Sequence, residues 1–157
     1  MSTRRKFLVV ADDTVEFQTA LRYACRRARS TGGYVALLRV IQPAVFEHWS
    51  GVREEIMRQQ REEAEALLNR LGEKASELSG AAPVFLVEEA ETRDAIRKAV
   101  EEDEEIKILV LAAAIGGRGP GPLVSAMAKE GAGVAGRRLP ITVVPGDLSD
   151  DEVEDLA

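Results

Sequence analysis

Apolar residues fall along this chain in two alternating rhythms. Short continuous runs occur at Phe7-Leu8-Val9-Val10-Ala11, Tyr34 to Ile41, Val84-Phe85-Leu86-Val87, Ile106 to Ala113 and Pro140 to Pro145. Such runs suit strands covered on both faces. Between them, apolar positions recur at helical spacing. Phe17, Ala20, Leu21, Ala24, Cys25 and Ala28 make one stripe, with Asp13 and Glu16 spaced as a capping box before it and Gly32-Gly33 as its stop. Val52, Ile56, Leu67, Leu71 and Leu78 make a longer stripe with a Glu/Arg-rich outer face, bounded by Gly80 and Pro83. Thr92 is the predicted cap of a helix whose inner face is Ala95, Ile96, Ala99 and Val100. A fourth helical segment begins at Leu123. Residues 44–51, with His48 and Trp49, read as a loop.

Strands alternating with helices imply parallel pairing and right-handed crossovers. The predicted fold class is α/β: a single-domain, five-stranded parallel doubly wound sheet, Rossmann-like, of order 3-2-1-4-5, with helices on both faces. Ligands of such sheets bind beyond the C-terminal strand ends, where the strand order reverses. With the first strand central, that edge collects Asp12, Asp13, the Val40-Ile41 strand end and the Gly116–Gly121 turn.

That turn, Gly116-Gly117-Arg118-Gly119-Pro120-Gly121-Pro122, joins the Ile106–Ala113 run to the fourth helix. Strand, glycine-rich turn and helix make the arrangement that presents backbone N–H groups to phosphates. Two prolines each remove a donor. Proline is nevertheless accepted at the first position of a helix, and the expected free donors are those of Leu123, Val124 and Ser125. Arg118 and the Ser125 hydroxyl would add to an anion site. The competing reading is a tight loop stiffened by its prolines.

Composition narrows the function classes. The chain has 157 residues, enough for one self-sufficient core, with 45% hydrophobic and 31% charged residues. A lone cysteine and a lone histidine exclude an internal disulfide and a Cys/His zinc site. No run is long enough to span a bilayer, and the basic start does not lead into a signal peptide, so the cytoplasm is expected. Residues 146–157 carry six carboxylates and no base, and removing those six from the 27 acids leaves 21, matching the 21 lysines and arginines. The body at 1–145 is thus formally neutral, which argues against nucleic acid as a partner. The acidic tail at 146–157 is expected to be a disordered solubilising segment, with a capped helical turn starting at Ser149 as the alternative. The arginines at 22, 26, 27 and 29 read as a solvated helix flank.

Taken together, Val9-Val10-Ala11-Asp12, Val40-Ile41-Gln42-Pro43, the long second helix, the Ile96/Ala99 helix, the run to Ala113 and Pro140-Ile141-Thr142-Val143-Val144 resemble the universal stress protein family. The resemblance covers nearly the whole body. It implies a homodimer that pairs its last strands through Ile141, Thr142, Val143 and Val144. It also implies one of two subtypes, one binding ATP and one not known to hold nucleotide. The ATP subtype carries a glycine, two residues, a second glycine, nine residues, then Gly-Ser or Gly-Thr. Gly116 and Gly119 have the first spacing, but Lys129-Glu130 stands where the closing pair belongs. Matching the helix start instead puts Gly121-Pro122 there, in a shortened loop.

Other α/β functions fit less well. A response-regulator receiver would need an aspartate, a hydroxyl residue and a lysine where Glu88-Glu89, Ala112-Ala113 and Pro145-Gly146 stand. A dehydrogenase would carry G-x-G-x-x-G after the first strand, where the chain reads Asp12-Asp13-Thr14. A hydrolase would pair its nucleophile with a base, and His48 has no patterned partner. The expected function is a binding and regulatory module of the stress response, a homodimer working through a regulatory protein partner. The alternative is an adenine-nucleotide sensor with at most slow ATP hydrolysis. Its site would be Asp12, Val40, Gly116, Arg118, Gly119 and Ser125, with ATP and Mg²⁺ as the cofactor, the metal held mainly by phosphates and water.

Overall fold

In a computed structural model, the described residues are 4–43, 50–116, 119–130 and 137–157. They form β1 (Lys6–Val10), α1 (Val15–Thr31), β2 (Tyr34–Ile41), α2 (Ser50–Ser79), β3 (Val84–Glu89), α3 (Thr92–Glu102), β4 (Ile106–Ala113), α4 (Pro122–Glu130), β5 (Ile141–Pro145) and α5 (Asp150–Leu156). All pairings are parallel, and the order is β3-β2-β1-β4-β5. This is the five-stranded Rossmann-like sheet that the alternation of strands and helices predicts.

The central strands are apolar throughout because each face buries one half of every strand. Phe7, Val9, Val35, Leu37 and Val110 point into one core with α1 and α2. Leu8, Ala36, Leu38, Leu109 and Leu111 point into a second core with α3 and α4. Cys25 is buried in the first core, and burial pushes its thiol up to about 12, partly opposed by the nearby charge of Lys74. It packs as a small hydrophobe.

Four details differ from the reading of the sequence. The cap of α1 is Thr14, whose hydroxyl accepts from Phe17 N at 3.2 Å; Asp13 stays outside with its side chain 82% exposed. The backbone enters the helical region one residue later than the Asp13/Glu16 spacing suggests. At α3 the cap position is Glu91, without a side-chain cap bond, and the Thr92 hydroxyl accepts from Gln42 Nε2 instead. On α2 the buried face is Ala64, Leu68, Leu71 and Ala75, while Val52 is exposed and Ile56 only half-buried.

The largest difference is the acidic tail, which folds. Ser149 and Glu152 make a capping box, and three acids in the first turn of α5 favour the positive end of its dipole. Val153 is 3% exposed. Arg22 pairs with Asp150, and Arg26 Nε meets Glu154 at 2.9 Å. Two of the α1 arginines therefore face this helix instead of bulk solvent. The loop containing His48 and Trp49 lies outside the described residues.

Candidate functional site

The strand order reverses between β1 and β4, so the chain leaves these two neighbours in opposite directions and a crevice opens beyond their C-terminal ends. A cavity of about 210 Å³ occupies that crevice. Val9, Val10, Val110 and Leu111 form its floor, Phe17 and Ala20 of α1 one wall, and Leu123 and Val124 of α4 another. Asp12, Thr14 and Glu16 line it on the β1–α1 side, and Ala114, Pro120, Gly121 and Pro122 on the β4–α4 side.

Local chemistry explains how Asp12 is held. It follows β1 by two residues, and its Oδ1 accepts from Thr14 N at 2.8 Å and from the Thr14 hydroxyl at 2.5 Å. Aspartate so placed bends the chain into an Asx turn that starts α1. Beside it, Arg39 Nη1 donates to the carbonyl of Ala11 at 3.1 Å, and its Nη2 lies 3.9 Å from Asp13 Oδ2. The single charge in an otherwise apolar β2 thus ties the ends of β1 and β2 together.

The glycine turn is drawn in across the other side. Ala114 N donates to the carbonyl of Pro120 at 2.9 Å, closing the loop between them. Gly116, Gly119 and Gly121 have φ of 107°, 84° and 102°, a region open to glycine at little cost. A Cβ on Gly121 would lie 3.3 Å from the Ala114 Cβ, so the turn is packed on its own start. Pro122 is the first residue of α4, where its missing N–H costs nothing. Ser125 N donates to the Gly121 carbonyl at 3.0 Å, so the expected free donor there is already used. Leu123 and Val124 of that first turn face the cavity.

Of the candidate residues, Asp12 lines the cavity. Val40 packs against the core on the α3 side, and Gly116, Gly119 and Ser125 are not part of the cavity wall. Arg118 lies outside the described residues. Ile141, Thr142, Val143 and Val144 are on β5, which pairs with β4 and has no second described strand beside it; Val144 is buried and Val143 45% exposed. Glu16, which the sequence suggests only as half of a capping box, lines the cavity, and Arg39 beside it carries no sequence expectation. For Arg39 the signal was present, a lone cation two residues before the end of an apolar strand.

Glu16 owes its position to a distant contact. Gly146, just past β5, packs so closely that a Cβ there would run into the carbonyl of Ala113 and come within 2.7 Å of the Glu16 Cβ. Its own carbonyl accepts from the buried Thr19 hydroxyl at 2.9 Å. The connection into α5 therefore braces the first turn of α1 against the end of β4. Among the described residues, no group of three metal-ligating side chains comes together, and no helix is long and apolar enough to cross a membrane.

A family model described as the universal stress protein family matches residues 3–120. Among solved structures, a universal stress protein from Lactobacillus plantarum superposes with a TM-score of 0.69 at 17% identity, covering 92% of this chain and 99% of that one. A universal stress protein solved in complex with cAMP gives 0.67 at 13% identity, covering 93% and 100%. A family protein from Arabidopsis thaliana with AMP bound gives 0.61 at 18%, covering 90% and 91%. These likenesses establish a shared fold. No curated protein sequence matches the chain significantly.

Proposed function

The chain belongs to the universal stress protein family, and from that premise we propose that it is a regulatory binding module that takes an adenine-type ligand in the cavity between Asp12 and α4. The observation that carries this reading is the position of the cavity at the strand-order reversal, walled by apolar side chains with a carboxylate at one side. The apolar walls suit a flat heterocycle. Both bonds from Thr14 land on Asp12 Oδ1, which leaves Oδ2 to accept from a ligand hydroxyl or amine. That two proteins of this fold are known with cAMP and AMP supports the choice of adenine.

ATP with Mg²⁺ fits these residues poorly. The cavity is below the roughly 300 Å³ at which ligand pockets usually begin. Pro122 offers neither hydroxyl nor N–H, and Ser125 N is spent within α4. Titration calorimetry on nucleotide-stripped protein tests the reading. Micromolar binding of an adenine ligand, weakened about tenfold by Asp12→Ala, is expected; heat that Asp12→Ala leaves unchanged would refute it.

A second reading, action as a cytoplasmic homodimer through a regulatory protein partner, draws on β5. This edge strand exposes Val143 and carries no charge between Ile141 and Pro145, leaving it open to pairing with a second copy. Light scattering at micromolar concentration should give twice the chain mass, and Val143→Lys should give the monomer.

A further inference from the structure

We infer that the α1 flank bearing Arg22 and Arg26 is a docking surface for an acidic amphipathic helix of a protein partner, which α5 occupies in cis until such a helix displaces it. The inference rests on the protein-partner part of the second reading above and gives that partner a place; it needs neither the adenine ligand nor the β5 dimer. Three contacts set the geometry. The Thr19 hydroxyl donates to the Gly146 carbonyl, Arg22 pairs with Asp150, and Arg26 Nε meets Glu154 Oε1 at 2.9 Å. Partners on both sides advance by three or four residues at each step, so α5 runs alongside α1 and parallel to it. Asp150, Val153 and Glu154 share one face of α5 at helical spacing, and Val153 is buried. The surface therefore reads a carboxylate, an apolar residue three positions on, and a second carboxylate directly after it.

α5 holds this surface loosely. The Asp150 and Glu154 side chains stay 78% and 70% exposed, and ion pairs so exposed shift an equilibrium only a few fold. One buried valine must offset the ordering of a seven-residue helix, which is too short to persist by itself. Arg22 Nε is buried with no acceptor among the described residues, a cost that the docked arrangement carries. α5 therefore opens at low free energy and recloses, as weakly packed terminal segments do. Its advantage over a rival is its attachment, which keeps it at an effective concentration of about millimolar. The cations also run on past it. Arg29, exposed in the last turn of α1, follows Arg26 by three residues on the same flank. A partner helix that repeats the Asp150-Val153-Glu154 pattern and carries a further carboxylate one turn later would add Arg29 to the contacts that α5 makes.

The test is fluorescence anisotropy on the full chain with two labelled peptides, one of residues 147–157 and one lengthened by a helical turn carrying a glutamate. The longer peptide should bind about threefold more tightly, and both should weaken about tenfold between about 0.05 M and about 0.5 M salt. Asp150→Lys with Glu154→Lys in the chain repels its own α5 and should tighten peptide binding about tenfold. Arg22→Glu with Arg26→Glu should abolish it, and a peptide with Asp150→Lys and Glu154→Lys should bind that chain instead. Peptide binding that the arginine reversal or salt leaves unchanged would overturn the inference. So would a single-stranded DNA oligonucleotide binding as tightly as the peptides, since the flank would then be a general polyanion surface. Absence of peptide binding to the chain with Asp150→Lys and Glu154→Lys would overturn it as well, while the β5 reading stands or falls by light scattering alone. Hydrogen exchange of the unsubstituted chain covers a variant that fails to fold. The amides of Val153 and Ala157, which donate within α5, should exchange faster as salt rises. Exchange as slow as in the central strands at both salt concentrations would overturn the inference.

Discussion

The two ends of the sheet treat their charges in opposite ways. At the N-terminal end of the strands, Lys6 Nζ meets Asp103 at 2.6 Å and Glu105 at 3.2 Å, and only 14% of its side chain is exposed. Nearby, one guanidinium nitrogen of Arg137 donates to the carbonyls of Val100, Asp103 and Ile106 at 3.2, 3.0 and 2.7 Å. This single side chain ties the last turn of α3 to the start of β4, answering carbonyls that a helix end leaves open. At the C-terminal end, Asp12 bonds to its own turn, Asp13 is mostly exposed and only 3.9 Å from the Arg39 that ties β1 to β2, and Glu16 lines a cavity. One end is closed and cross-linked; the other leaves carboxylates and space for a ligand. Stability should therefore be concentrated below and binding above.

Substitutions can break or sharpen that contrast. Arg137→Ala should be the most damaging, lowering the free energy of unfolding by about 3 kcal/mol, since three carbonyls lose one charged donor. Chemical denaturation measures it, and ligand affinity at the other end should hold. Gly146→Ala should cost about 2 kcal/mol by forcing Ala113 and Glu16 apart. Because Glu16 lines the cavity, the same substitution should also weaken binding of an adenine ligand there, which a titration would show.

Lys6→Met should cost about 1 kcal/mol at pH 8, and its pH dependence identifies the cause. Burial pulls the Lys6 ammonium down, but hydrogen bonds and charge from Asp103 and Glu105 outweigh it, so its proton is held above the ordinary 10.5. A group raised in the folded state stabilises fully below its unfolded value and loses that contribution as pH rises through the folded one. The gap between wild type and Lys6→Met in denaturation midpoints should accordingly persist to about pH 10 and close above it. A gap independent of pH up to 12 would mean that the methylene packing, and not the charge, matters. Smallest of all, Asp13→Asn should change stability by less than about 0.5 kcal/mol, as expected of an exposed pair at 3.9 Å.

How far the chain could be read in advance follows the same division between near and far. The strands at Phe7, Tyr34, Val84, Ile106 and Ile141 were legible because a buried parallel strand needs an unbroken apolar run. Asp12 was legible because it directly follows such a run. The cap was misplaced by one residue, since both Asp13 and Thr14 have suitable side chains and only the backbone at Thr14 turns the hydroxyl toward Phe17 N. The tail misled for a deeper reason. Its composition is that of a disordered segment, and its cations lie on α1, some 128 residues earlier in sequence.

By itself, the sequence determined the alternation of elements, the sheet they build, the edge where a ligand would sit and the proline-bearing glycine turn. Each of these rests on local pattern, on hydrophobic period and turn chemistry that neighbouring residues decide among themselves. Only the tertiary structure decided how wide the crevice is, that Glu16 lines it and that the acidic tail docks on Arg22 and Arg26. Those outcomes depend on contacts between segments remote in sequence, such as Gly146 against Glu16, and no local pattern records such a contact.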